Sequence, residues 1–168
     1  VIPHLQKNSK ILLDAKSGIS GAGKSSVENG LGEEIRENFK SYNVGFHRHQ
    51  PEIKDFLKTE FNLDHEIIFI PHLLPLFRGE YVTLYCEVSQ NDLDLNELYE
   101  SYYEKHKLVR VKEKGESAEI KEVINTFYCD ISVSYAFQSN TIIVNSAIDN
   151  LLKGAASQAI QCLDIMSS

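Results

Sequence analysis

Apolar and polar positions follow one another along this chain with two different periods, and the switch between them marks out strands and helices. Lys10 to Asp14 is an apolar run of strand length. It leads into Ala15 to Ser26, where three glycines and four serines preclude regular structure. Leu31, Ile35 and Phe39 recur at i, i+4 and i+8, the spacing of a brief helix over 31–40. Tyr42, Val44 and Phe46 then alternate with Asn43, Gly45 and His47, the period of a half-buried strand that carries His47 and His49 on its polar face. Pro51 stops that strand and suits the first position of a helix, where its missing N–H has no partner to lose. Glu52 follows in the first turn, where a carboxylate favours the helix start. Ile53, Phe56, Leu57 and Phe61 continue at helical spacing.

Beyond that helix, Glu66 to Ile70 reads as a strand, Pro71 to Gly79 as an apolar loop with two prolines, and Glu80 to Ser89 as a long strand. Leu95 to Tyr103 reads as a helix started by Asp94 or Asn96. Leu108 to Lys112, Tyr128 to Phe137 and Thr141 to Ser146 read as strands, the last two joined as a hairpin through Gln138 to Asn140. From Ile148 onward, Leu151, Leu152, Ala155, Ala156, Ala159, Ile160 and Leu163 trace one face of a final helix, with Asn145 or Ser146 as cap. No repeat or flexible linker divides the chain, so residues 1–168 are expected to form a single α+β domain. Its sheet should be mixed and largely antiparallel, with helices packed on it.

Composition narrows the function. With 17 Lys and Arg against 24 Asp and Glu, the net charge is −7. That balance argues against nucleic acid as a partner, since such binding needs cations to neutralise phosphate. The most apolar stretch, Ile67 to Phe77, is interrupted by prolines and falls short of the ~20 residues that cross a bilayer, so no membrane partner is expected. Three cysteines without C-x-x-C spacing suit a reducing, cytoplasmic setting. The first residues lack a basic segment followed by an apolar one, and the chain reads as one that begins within a longer protein.

Gly18 to Ser25 matches the phosphate-cradling pattern of a glycine, four residues and Gly-Lys-Ser, with a strand ahead of it. On pattern alone this indicates a nucleotide-dependent phosphotransferase. The chemistry also needs a helix starting at Lys24, whose free N–H groups hold the phosphate. Gly30 and Gly32 fall in the first turns of any such helix, at a cost of about 1 kcal/mol each, and no apolar face supports it. The phosphotransferase reading therefore stands as an alternative, beside that of a self-associating domain without chemistry of its own.

Four blocks carry a resemblance. Asp14-Ala15-Lys16-Ser17-Gly18-Ile19-Ser20-Gly21-Ala22-Gly23 resembles the Asp-Ala-Lys-Ser-Gly-Val-Ser-Gly-Ala-Gly signature of the N-acetyl-gamma-glutamyl-phosphate reductase family. His47-Arg48-His49-Gln50-Pro51-Glu52 is similar to its His-Arg-His-x-Pro-Glu motif, and Pro71-His72-Leu73-Leu74-Pro75 with Arg78-Gly79 to its Pro-His-Leu-x-Pro loop. Asp149 to Ala156 resembles the start of its last long helix. In this family an acyl phosphate is reduced to an aldehyde with NADPH, in arginine biosynthesis, by way of a thioester on a cysteine. The resemblance implies that this chain is the second domain of a plan shared with aspartate-semialdehyde and glyceraldehyde-phosphate dehydrogenases. It implies homo-oligomers, dimeric or tetrameric. NADP(H) would be held mainly by an N-terminal Rossmann domain, and the nucleophile motif Pro-Gly-Cys would also lie outside this chain. Cys86, Cys129 and Cys162 sit in apolar strands or the last helix, so the isolated chain is expected to be inactive.

The same resemblance assigns roles. His47, with His49 second, is implied as the acid/base group, and a helix start beside His49 favours the neutral imidazole such a group needs. Both can equally be structurally hydrogen-bonded histidines. Lys16, Arg48 and Arg78 are candidates for the phosphate and carboxylate of the substrate, although Arg48 can instead pair with Glu52. Ser17, Ser20 and the backbone N–H groups around Gly18 and Gly21 are candidates for an anion nest. Asn150 and Gly154 are candidates for contacts with the cofactor, or for plain packing. No metal site is expected.

Overall fold

The computed structural model describes residues 4–23, 25 and 27–167. Seven strands form one sheet: β1 (Lys10–Gly18), β2 (Lys40–Ser41), β3 (Glu66–Leu74), β4 (Glu80–Glu87), β5 (Val109–Val111), β6 (Cys129–Tyr135) and β7 (Thr141–Ile148), in the order β2-β3-β1-β4-β7-β6-β5. β1 with β3 and β5 with β6 pair in parallel, and the other four pairings are antiparallel. The helices are α1 (Gly32–Ile35), α2 (His49–Phe61), α3 (Leu95–Tyr103), α4 (Ile120–Val123) and α5 (Ser157–Ser167). The expected mixed, largely antiparallel α+β architecture is therefore present.

Alternation along the strands separates two faces. Ile11, Ile67, Cys86 and Ile142 stand side by side in the ladder and form the main core with Val88 and Leu95. Ile53 and Leu57 of α2 pack against it. Asp94 caps α3 by accepting the Glu97 N–H at 3.1 Å, which settles the choice between Asp94 and Asn96. On the opposite face, Ala118, Val123 and Ala147 make a smaller core with Tyr81.

Several local expectations are corrected. β1 continues through Lys16 and Ser17 to Gly18, because its parallel partner β3 also runs on, through Pro71 to Leu74. Pro71 fits inside β3 because its carbonyl accepts the Tyr42 N–H at 3.0 Å. A residue's N and C=O point the same way in a strand, so the missing donor faces the side where β2 ends and no bond to β1 is lost. The expected strand over Tyr42 to Phe46 is instead a turn, with Asn43 and Gly45 at φ of 47° and 85°. α2 then starts at His49 and places Pro51 within its first turn. The helix expected over 31–40 is one turn, ended before Glu37, which sits at φ 56°. β7 runs through Ile148, so neither Asn145 nor Ser146 caps the last helix. α5 buries none of its residues; Ile160, Leu163, Ile165 and Met166 are all more than half exposed.

The core makes an immediate prediction. Ile142 is fully buried and Phe137 is 89% exposed. Ile142→Ala should cost about 2–5 kcal/mol of unfolding free energy in a urea titration, while Phe137→Ala should stay within about 0.5 kcal/mol.

Candidate active site

His47 and His49 come together, though not on a strand. His47 ends the Asn43 to Phe46 turn and its carbonyl accepts the Gln50 N–H at 3.0 Å; His49 is the first residue of α2. The backbone N–H of His49 donates to Nδ1 of His47 at 3.3 Å. The two rings meet edge to face, with centroids 4.7 Å apart, and both rest against Phe69 of β3, at 5.1 and 5.8 Å. Tyr42 packs edge-on to His47 at 5.6 Å.

The charges around them act on one another. Burial, then the neighbouring His49 and Arg48, hold the His47 imidazole below its ordinary pKa, against a weaker opposing pull from Glu52. Burial also raises the Glu80 carboxyl, and His49 works against that rise. Tyr42 is pushed up by burial and by Glu80, while Arg48 pulls it down. Tyr42 and Glu80 thus share the histidines' electrostatic surroundings, and sequence patterning singled out neither. Beside them a cleft of ≈ 420 Å³ is lined by Phe46, His47, Arg48, Gln50, Lys54 and Ile67, among others. Arg48 lines it without an ion pair to any described residue, so the pairing with Glu52 is not formed.

The other expected cations are engaged elsewhere. Lys16 binds Asp14 at 2.8 Å on the sheet face opposite Phe69. The other carboxylate oxygen of Asp14 lies 3.0 Å from Nδ1 of His72, without the alignment of a hydrogen bond, and His72 stacks on Phe39. The extension of β1 through Lys16 is what turns this side chain away from the histidines. Arg78 donates to Asn125 and lies 3.6 Å from the fully buried Asp149.

Around Gly18, N–H groups of the expected anion nest are taken up by the chain's own backbone. The N–H groups of Gly18, Ile19 and Ser20 donate to the carbonyls of Gly79, Leu76 and Phe77 at 2.8–3.0 Å. These N–H groups are therefore not free for a phosphate, whether of an acyl phosphate or of a nucleotide. Lys24 lies outside the described residues. Ser17 donates to the Gly18 carbonyl at 3.2 Å, and Ser20 accepts from Asn150 at 2.9 Å. A Cβ on Gly18 would meet the Phe77 carbonyl oxygen at 2.9 Å, so only glycine lets the two loops lie this close.

Asp149 and Asn150 stand, as expected, at the start of the last helical run, where a turn over Leu152–Ala156 leads directly into α5, and both side chains are also tied into the rest of the chain. The Asp149 carboxylate accepts the N–H groups of Leu151, Leu152 and Asn125 at 2.8–3.0 Å. Asn150 accepts the Gly79 N–H at 2.8 Å and donates to Ser20. The missing side chain of Gly154 faces inward, where a Cβ would stand 3.3 Å from Cδ1 of Ile148. Within the chain, one lone pair and one N–H of the Asn150 amide are used, and Gly154 lies against Ile148. Among the described residues no cluster of three or more His, Cys, Asp or Glu could hold a metal ion, and no helix is long and apolar enough to cross a membrane. Asp149→Ala leaves three backbone donors without an acceptor, and should lower stability by roughly 3 kcal/mol in thermal or urea unfolding.

Comparison with known proteins gives a consistent set of likenesses. A family model described as the semialdehyde dehydrogenase dimerisation domain matches residues 1–150. The N-acetyl-gamma-glutamyl-phosphate reductase of Thermoanaerobacter sp. (strain X514) is 42% identical over 160 residues, covering 94% of this chain and 46% of that protein. The protein of the same name from Staphylococcus saprophyticus is 39% identical over 162 residues, covering 95% and 47%. The chain thus spans about half the length of the curated relatives it matches. Among solved structures, a probable aspartate-semialdehyde dehydrogenase from Pseudomonas aeruginosa superposes with a TM-score of 0.77 at 14% identity, over 99% of this chain and 57% of that one. Aspartate semialdehyde dehydrogenase II from Vibrio cholerae gives 0.73 at 15%, over 94% and 54%. At such identities these structures speak for the fold alone.

Proposed function

The chain belongs to the semialdehyde dehydrogenase dimerisation-domain family, and from that premise we propose that it is the second domain of a reductase that converts N-acetyl-gamma-glutamyl phosphate to the semialdehyde. The observation that carries this reading is the likeness, over nearly the whole chain, to curated reductases about twice its length. In this reading a cysteine and NADPH, both held by the half outside this chain, supply the sulfur nucleophile and the hydride. This chain supplies proton handling and a grip on the anionic substrate.

His47 is the proposed acid/base group, with His49 second. Its lowered pKa favours the neutral ring, as proton acceptance requires. In that state the His49 N–H at Nδ1 places the ring proton on Nε2, which can donate to an oxygen gaining negative charge. Forming the imidazolium gives up that contact, already 3.3 Å long, and works against burial, His49 and Arg48. Arg48, at the cleft and without an ion pair among the described residues, is the proposed grip on a phosphate or carboxylate.

The two cysteines on the sheet are poor replacements for that sulfur nucleophile. Burial pushes the thiols of Cys86 and Cys129 up to about 11, so the nucleophilic thiolate is scarce at neutral pH. Cys162 lies exposed on α5. The purified 168-residue chain should therefore show no turnover with acyl phosphate and NADPH; sustained NADPH oxidation would refute this.

Self-association belongs to the same reading. By alternation, Leu12, Ile68, Ile70, Tyr85 and Ile143 share the sheet face opposite α2, each partly exposed, with no long helix over them. We assign this face to contact with a second copy. Ile143→Lys should convert the oligomer to monomers in a light-scattering measurement, and an unchanged mass would place the contact elsewhere.

In the full-length enzyme, His47→Ala should lower kcat about 10²–10⁴-fold. The acid limb of kcat/KM should fall below pH 6.5, because burial, His49 and Arg48 depress the His47 pKa and its neutral form is the active one. Arg48→Ala removes one of the cations holding that pKa down, so the limb should move to higher pH. A limb that stays in place would show that His47 does not set it.

A further inference from the structure

The hydrogen bonds around Asn150 run in a direction that leaves no choice. A backbone N–H can only donate, so the Gly79 N–H at 2.8 Å requires the carbonyl oxygen of the Asn150 amide on that side. The amide nitrogen then faces Ser20, 2.9 Å away, and it can only donate. The Ser20 hydroxyl oxygen must accept, and its hydrogen is turned away from Asn150. No described residue accepts that hydrogen, and Ser20 is only half-buried. The surroundings hold the relay in place. Asn150 is 8% exposed, Ser20 is anchored by its own N–H to Phe77, and a Cβ on Gly21 would intrude to 2.7 Å from Ser17 Oγ and 3.3 Å from the Asn150 amide nitrogen.

We infer that Asn150 is a positioning residue: it reads the orientation of the Gly79 backbone and fixes the Ser20 hydroxyl as an outward donor to an oxygen of a bound ligand. This rests on the proposed reductase reading, under which two ligands carry suitable oxygens, the acyl phosphate and NADPH. The assignment differs from direct contact between the asparagine and the cofactor, since here the asparagine acts through the Ser20 hydroxyl.

Asn150→Asp separates orientation from scaffolding. One carboxylate oxygen can still accept the Gly79 N–H, so the loop remains supported. The other can no longer donate to Ser20 and instead accepts its proton, which turns the hydroxyl inward. The negative charge introduced is controlled by making the same change in a Ser20→Ala background. In the full-length enzyme, Ser20→Ala and Asn150→Asp should each raise KM for one ligand about three- to tenfold with the unfolding temperature nearly kept. The double variant should be no worse than the more affected single variant. Whether the KM for acyl phosphate or that for NADPH moves identifies the source of the oxygen.

Two results would overturn the inference: Ser20→Ala leaving both KM values unchanged, or Asn150→Asp keeping its full effect when Ser20 is alanine. A wild-type enzyme without turnover would count against the reductase reading alone. Fluorescence titration with NADPH and competition by inorganic phosphate would then read the same cycle as binding. There, non-additive weakening supports the relay, and additive or absent weakening refutes it.

Discussion

Two buried side chains at the end of β7 hold together the end of the sheet where the loops of this domain gather. Asp149 has no exposed surface, and its side chain is accommodated there because three backbone N–H groups converge on it. Asn150 joins the loop after β1 to the loop after β3 through Ser20 and Gly79. Gly18 and Gly79 are zipped together by backbone bonds at the same place, and a Cβ on Gly79, at φ 108°, would meet Ile120 at 2.4 Å. Glu80 follows Gly79 directly, raises the Tyr42 hydroxyl and is itself acted on by His49, so this knot adjoins the surroundings of the histidine pair.

Much of the architecture was legible in the sequence because it depends on local period and on turn residues. The hairpin of β6 and β7, the α3 helix, and the α2 helix around Ile53 and Leu57 follow from spacing alone, while the choice of Asp94 over Asn96 as the α3 cap came from the structure. What was not legible depended on partners distant in sequence. Ala15 to Gly18 look like a loop until β3 lies beside them, and Pro71 looks like a strand terminator until the edge at β2 shows that its missing N–H is not needed. That single extension carries Lys16 to the opposite face. It also places Ser17 and Glu80 side by side in the ladder.

The candidate site divides in the same way. The pairing of His47 and His49 survives the replacement of a strand by a turn, because a two-residue separation across a helix start still brings the rings together. Arg78, Asn150 and Gly154 each have neighbours within the chain that no local pattern reveals: Asn125 and Asp149, Gly79 and Ser20, and Ile148. Exposed apolar side chains on α5 and on the bare face of the sheet fit a piece of a larger assembly better than a self-sufficient monomer.

The account stands on the claim that this domain serves reduction of an acyl phosphate, a reaction that can be run backwards. Full-length enzyme supplied with N-acetyl-glutamate semialdehyde, inorganic phosphate and NADP⁺ should form NADPH and consume phosphate in equal amounts, with no NADPH formed when phosphate is left out. NADPH formation that does not depend on phosphate, or a rate with aspartate semialdehyde that exceeds the rate with the acetylated substrate, would contradict it.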